Sequence, residues 1–407
     1  MAMAQPKAIS ESSIGRSGSL RSETAETFSV VENEPPLRWW RRLHLASAGD
    51  LGVKRRALLF ALVSWLPIAV WAAATGRLFA AGTGEPLLVH YGIHVRCLIV
   101  IPLLILAEEA LHRKARSVAG HFVSCGLVTP ALRPDFDAVM RGVARLRDNS
   151  LPWVFAVGAA IAWSIADPPS AHVDELKWST HADGAIGFGG VWFAYVVRPV
   201  LTALLVGWVW RLLLVTCWMW RIARLPLALV PTHPDRVGGL GFIKRLPVAF
   251  ALVTVALSAM MVSRFAHEVV HHDALLTSFY MPAIAYAVLW SLALMLPLFA
   301  IAPKLWATRN EALPAYAALV GEQGRLVHRR WIERKPVDDV PLLDAAEIGP
   351  VADAAVLYES VQNMQVVPIG KRTLMTILVP MAAPFLVLPL LRFPLELILS
   401  TLLKTLI

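Results

Sequence analysis

The chain reads as an all-α, polytopic transmembrane helical bundle of about seven spans with its N-terminus in the cytoplasm. Three observations predict this. Apolar residues make up 57% of the 407, enough to furnish several bilayer-length runs. Seven such runs occur, at 57–76, 93–107, 152–166, 190–220, 247–265, 279–302 and 373–391. They approach or meet the roughly 20 residues that a hydrocarbon core about 30 Å thick requires of a helix. Arginine and lysine fall on alternate connections between the runs, and this sets orientation, because cations at span ends resist translocation and favour the anionic cytoplasmic leaflet.

In chain order, Arg41, Arg42, Lys54, Arg55 and Arg56 precede the first span. Arg113, Lys114, Arg116, Arg133, Arg141, Arg145 and Arg147 lie between the second and third. Both connections are expected inside. Arg221, Arg224, Arg236, Lys244 and Arg245 follow the fourth span, and Lys304, Arg309, Arg325, Arg329, Arg330, Arg334 and Lys335 follow the sixth. The opposite connections carry Glu85, Asp167, Asp174, Glu175, Asp183, Glu268 and Asp273 with few cations. The net charge of +9 is therefore an orientation signal. Its partner is a lipid bilayer with an anionic cytoplasmic leaflet; no nucleic acid is expected, because the cations form no separate basic domain. A homo-oligomer stays open.

Residues 1–50 form the first unit. The first forty are rich in Ser, Glu and small residues, end at Pro35-Pro36, and lack a short apolar core followed by a cleavage site, so they read as a disordered cytoplasmic tail and not a signal peptide. Arg38-Trp39-Trp40-Arg41-Arg42 then mixes indoles with cations, the combination that settles at headgroup level. Residues 51–302 form a six-span membrane domain that includes a cytoplasmic helical hairpin at 108–150, broken by Thr129-Pro130 and Arg133-Pro134. Residues 303–372 are a cytoplasmic helical segment. Asp344 and Glu347 there have capping-box spacing, and Pro350 either opens the second helix or breaks it. Residues 373–407 are a final span followed by an interfacial helix. Pro380, Pro384 and Pro389 leave both a bent crossing and a re-entrant turn open. Cys97 and Cys217 fall in spans and Cys125 at the inner side, so no structural disulfide is expected.

Three groups of residues carry chemistry. The first is His267-Glu268-Val269-Val270-His271, an H-E-x-x-H string. On a helix its histidines share one face and can ligate zinc while the glutamate activates a bound water. His272 and Asp273 adjoin it, but no third ligand is assigned. His90, His94, His172, His181, His267, His271 and His272 all map to the outer side, a mixture with carboxylates that suits a divalent metal or a proton sensor, or is simply a solvated rim.

The second is His233-Pro234-Asp235-Arg236-Val237-Gly238-Gly239-Leu240-Gly241, at the inner side after span four. Its glycines permit unusual backbone angles, Asp235 can cap a helix start, and His233, Asp235 and Arg236 can hold an anion or a neighbouring subunit. It lacks the spacing of a phosphate-binding loop, and a tight turn docked under the bundle is the plainer reading. The string Pro231–Phe242, the Trp- and Arg-rich span before it, and Val366-Val367-Pro368 resemble a group of bacterial multi-pass inner-membrane proteins from about span three to the C-terminus. The resemblance implies location and no mechanism.

The third is Arg211. With Trp218, Trp220 and Arg221 marking the inner interface, it lies about 10 Å inside, where a charge costs a few kcal/mol unless paired. Glu108 or Glu109, at the inner end of span two, is the expected partner, and a bound or permeating anion the alternative. Arg198, nearer the outer boundary, can snorkel. The sequence therefore favours a non-enzymatic role, solute or ion passage or membrane signalling, with Arg211, His233, Asp235, Arg236, Gly238 and Gly239 as coupling residues. A zinc-dependent membrane hydrolase using His267, Glu268, His271 and His272 is the opposing class.

Overall fold

A computed structural model describes residues 28–42, 44, 51–79, 86–166, 176–181, 184–272, 274–336 and 349–388. Among them there is no β-strand, only an isolated bridge between Thr180 and Ile186. Helix α1 is Pro35–Arg42, α2 Val53–Ala74, α3 Tyr91–Ser124, α4 Arg133–Arg147, α5 Leu151–Ala166 and α6 Phe188–Ala223. A 3-10 stretch, Gly241–Phe250, leads into α7, Ala251–His271. Then come α8, Tyr280–Phe299; α9, Ala302–Val327; α10, Gly349–Gln362; and α11, Lys371–Phe385.

Among the described residues, six helical stretches are long and apolar enough to cross a membrane: Val53–Ala74, Tyr91–Ser124, Pro130–Ala166, Phe188–Ala223, Gly241–Val270 and Leu276–Phe299. The expected seventh run, 373–391, is described as far as residue 388, mostly as the 15-residue α11; its last three residues, and the interfacial helix after it, lie outside the described residues. Several apolar runs prove to be parts of longer helices. α3 runs 34 residues, about 51 Å at 1.5 Å per residue, so the span and the first arm of the hairpin are one rod. Its second arm is α4, with Phe136 against Phe122 of α3.

The bundle is built around α3, which packs on α2, α6, α7 and the 3-10 stretch. Its inward residues Ile101, Leu104, Ile105, Leu111, Ala115 and Phe122 are fully buried. The helices outside it keep one face apolar and exposed, as Val154, Phe155 and Ile161 do on α5 and Ile284, Val288 and Leu289 on α8. Such faces suit lipid and not water. α9 and α10 pack together, with Pro350 in the first turn of α10, where its missing N–H costs nothing.

One expectation is overturned by packing. The tail was expected to be disordered through its first forty residues, but Phe28, Ser29, Val30, Val31 and Glu34 are all buried. Phe28, Val30 and Val31 give this short segment the apolar surface that the flanking Ser and Glu lack. The phenyl ring of Phe28 lies 4.8 Å from the indole of Trp218, centroid to centroid. Residues 1–27 lie outside the described residues.

Candidate functional site

Where the basic end of the bundle meets its apolar middle, four charged side chains close on one another. Arg56 comes from the first turn of α2, Glu108 from α3, Arg211 from α6 and Glu34 from the residue before α1; all are 1–3% exposed. Glu108 bridges the two arginines, taking Arg56 Nη1 at 2.6 Å on Oε2 and Arg211 Nη2 at 2.8 Å on Oε1. Glu34 meets the other edge of Arg211. Nε donates to its two oxygens at 3.0 and 3.2 Å, and Nη2 to Oε2 at 2.6 Å. Two positive and two negative charges make the cluster formally neutral, the condition under which ions tolerate burial.

Aromatic side chains complete the surroundings of Arg211. Its guanidinium carbon lies 4.9 Å from the ring centre of Trp208 and 5.5 Å from that of Trp153, close enough for cation–π attraction at a buried position. Trp208 is oriented by donating Nε1–H to the Leu104 carbonyl at 3.0 Å. Trp153 reaches Arg211 across Gly207, where a β-carbon would stand 2.6 Å from the indole. Gly207 sits one turn before Arg211 on the same face of α6, so its missing side chain makes room for the cover of the charge.

Of the two partners expected for Arg211, Glu108 is present, and Glu109 faces Arg113 at 3.4 Å. Glu34 was not anticipated. It is carried in by a segment tied down at several points: Ser29 Oγ accepts from the N–H groups of Val31 and Glu32 at 3.1 and 2.9 Å and lies 2.7 Å from His112 Nδ1. Arg147 Nη1 donates to the Ser29 carbonyl at 2.6 Å. Arg38 of α1 donates to the Asp148 carbonyl at 2.7 Å. Arg56 and Arg147, counted from sequence among the cations of the inner connections, are 3% and 6% exposed; Arg56 pairs with Glu108, and Arg147 holds the docked segment at Ser29. Arg198 is half-buried on α6 and outside the cluster.

The glycine loop is organised by Asp235. Its Oδ1 accepts N–H groups from Val237 and Gly239 at 2.9 and 3.1 Å, and its Oδ2 that of Gly241 at 2.7 Å, where the 3-10 stretch begins. Partial burial pushes the Asp235 carboxyl upward; the three amides and His233 outweigh it and hold it below the ordinary carboxylate range. His233 Nδ1 lies 2.9 Å from Oδ1 and 3.2 Å from the Asp235 amide nitrogen, so it donates to the carboxylate when protonated and accepts the amide when its proton is on Nε2. Arg236, Gly238 and Gly239 take φ of 60°, 66° and 94°, a left-handed run that glycine adopts freely and arginine does not. Asp235 is thus the internal hub of the turn. His233 and Arg236 face outward and line a cavity of about 300 Å³ with Glu359, Ser360 and Asn363 of the α10 region. The loop is stitched to the α10–α11 connection by Gln365 N donating to the Arg236 carbonyl at 2.7 Å and Lys244 Nζ to Gln365 Oε1 at 3.0 Å.

The H-E-x-x-H string occupies the last turn of α7. The ring of His267 stacks on buried His90 at 5.8 Å and meets His272 edge-on at 5.9 Å. Among the described residues no three His, Cys, Asp or Glu side chains are grouped as metal ligands. The side chain of His271, and Asp273, His172, Asp174, Glu175 and Asp183, lie outside them. No protein family, curated protein or solved structure matches the chain.

Proposed function

We propose that the chain is a multi-pass protein of a bacterial inner membrane that passes small anions, centred on Arg211 and closed in this conformation by its own N-terminal segment. The observation that carries this reading is the ion pair between Glu34 and Arg211. A guanidinium among spanning helices requires a counter-charge, and here half of that counter-charge is supplied by a residue that precedes every span. Withdrawing Glu34 leaves two arginines facing one glutamate, a net charge of +1 in low dielectric, which attracts an anion more strongly than any surface site does. Passage is preferred over membrane signalling because the charged centre lies among the spanning helices and not in the polar segment at 303–372.

Anion efflux from proteoliposomes loaded with chloride or acetate tests this. The wild-type chain is expected to leak slowly, Glu34→Gln several-fold faster, and Glu34→Gln with Arg211→Leu at the protein-free rate. If Glu34→Gln proteoliposomes release both anions no faster than wild type, the reading fails.

A further inference from the structure

We propose that the Arg211 site is a binding site for a monocarboxylate ligand, and that Glu34 is its resident, intramolecular occupant. The proposal rests on reading Arg211 as an anion centre and names the class of anion. Nε and Nη2 of Arg211 present two donors along one edge, and both carboxylate oxygens of Glu34 receive them within 3.2 Å. That fork is matched by a planar, two-oxygen anion better than by a spherical or tetrahedral one.

Arg211 is oriented without help from its occupant. Glu108 holds Nη2 at 2.8 Å and the faces of Trp208 and Trp153 flank the guanidinium, so the donors stay aimed when Glu34 leaves. A site arranged in advance binds its ligand with less loss of freedom. Arg211 Nη1 is buried and has no hydrogen-bond partner among the described residues. Buried guanidinium donors are ordinarily satisfied; this one lies outside the Nε–Nη2 fork and is met by neither glutamate.

Charge sets the valence. With Glu34 withdrawn the remaining Arg56, Arg211 and Glu108 sum to +1, so a monoanion restores neutrality and a dianion overshoots it at a buried position. Position makes withdrawal feasible: Glu34 precedes α1, and the segment from Phe28 to Glu34 contributes no helix to the bundle. Its departure breaks the contacts of Phe28, Ser29, Val30, Val31 and Glu34, Phe28 against Trp218 of α6 among them, while the direct contacts of α3 with α2 and α6 do not run through it.

The test replaces the tethered carboxylate with a free one. Glu34→Gly removes the atoms of a propionate, and Glu34→Ala those of an acetate. With the full-length Glu34→Gly chain in detergent, propionate should raise the melting temperature saturably, at concentrations of about millimolar, the order at which a short tether presents its own group. Neutral propionamide and chloride should not, and Arg211→Leu in the same background should abolish the response. Acetate should act better than propionate on Glu34→Ala. If Glu34→Gly is recovered folded only when propionate is present during extraction, that also supports the site. Absence of a saturable propionate response in both variants, failure of propionate to restore a misfolded variant, or an equal response to propionamide overturns the proposal. Binding without flux would refute anion passage and leave the site standing, whereas flux through Glu34→Gln without carboxylate binding would do the reverse.

Discussion

Replacing Arg211 by leucine removes a charge while keeping apolar bulk, and its consequences follow from the connectivity of the buried cluster. The substitution leaves Glu34 facing no cation in the cluster and Glu108 facing Arg56 alone at 2.6 Å. Stranding one buried carboxylate costs about 3–5 kcal/mol, so the Arg211→Leu chain should melt well below wild type, while Arg198→Leu, on the same helix but outside the cluster, should shift little. Net charge alone predicts that neutralising either glutamate repairs the damage, since both double variants return to zero. The geometry predicts otherwise. Arg211→Leu with Glu34→Gln keeps the intact Arg56–Glu108 pair and replaces the stranded carboxylate by an amide, so most of the loss should return. Arg211→Leu with Glu108→Gln strands Glu34 away from Arg56 and leaves Arg56 without its carboxylate, so the loss should persist or deepen. Thermal melts of the four variants in one detergent, ranked and not extrapolated to equilibrium values because membrane proteins often unfold irreversibly, decide the matter. Equal recovery in the two double variants would show that burial, and not pairing, governs the cluster.

Two further outcomes follow from the glycines and the loop. Gly207→Ala places a methyl group against Trp153 with 2.6 Å between carbons and should destabilise by about 1–3 kcal/mol through overpacking, whereas Gly120→Ala on α3, with open space beside it, should be neutral or stabilising by up to about 1 kcal/mol; thermal melts compare them. Asp235 has a folded-state pKa below its unfolded value, so its stabilisation is complete above the unfolded value and lost as pH falls through the folded one. Melting of wild type should therefore fall more steeply below pH ~4 than that of Asp235→Asn, and parallel curves would remove the carboxylate from its assigned role as hub.

How far the sequence revealed these features depends on the kind of signal each leaves. Long apolar runs and the charge alternation are sums over many residues, so the helical bundle was legible. Arg211 was legible because one cation within an apolar run stands out, and Glu108 because it lies at a matching depth on another run. Glu34 left no such trace: Phe28, Val30 and Val31 are three apolar residues in a Ser- and Glu-rich stretch, too few for a periodicity and diluted in any hydropathy window. The burial of Arg56 and Arg147 was hidden for the opposite reason, since a cation beside a span reads the same whether it meets headgroups or turns inward. Asp235 was legible as a cap, but its grip on three amides depends on the left-handed backbone of Arg236, Gly238 and Gly239.

The same kinds of signal explain why the Arg211–Glu108 pair is legible in the sequence and the complete cluster is not. Its members sit at positions 34, 56, 108 and 211, on four segments with no common period, so only the fold brings them together. Three of them are fixed by helices that pack on one another, and the fourth arrives on a short segment ahead of them. The charge of the buried centre is therefore set by whether that segment is docked: neutral with Glu34 in place, +1 without it. Because an unpaired buried charge is costly, undocking without a replacement anion is unfavourable and undocking with one is not. On the proposed reading, occupancy by an external anion and release of the N-terminal segment are coupled through a single guanidinium.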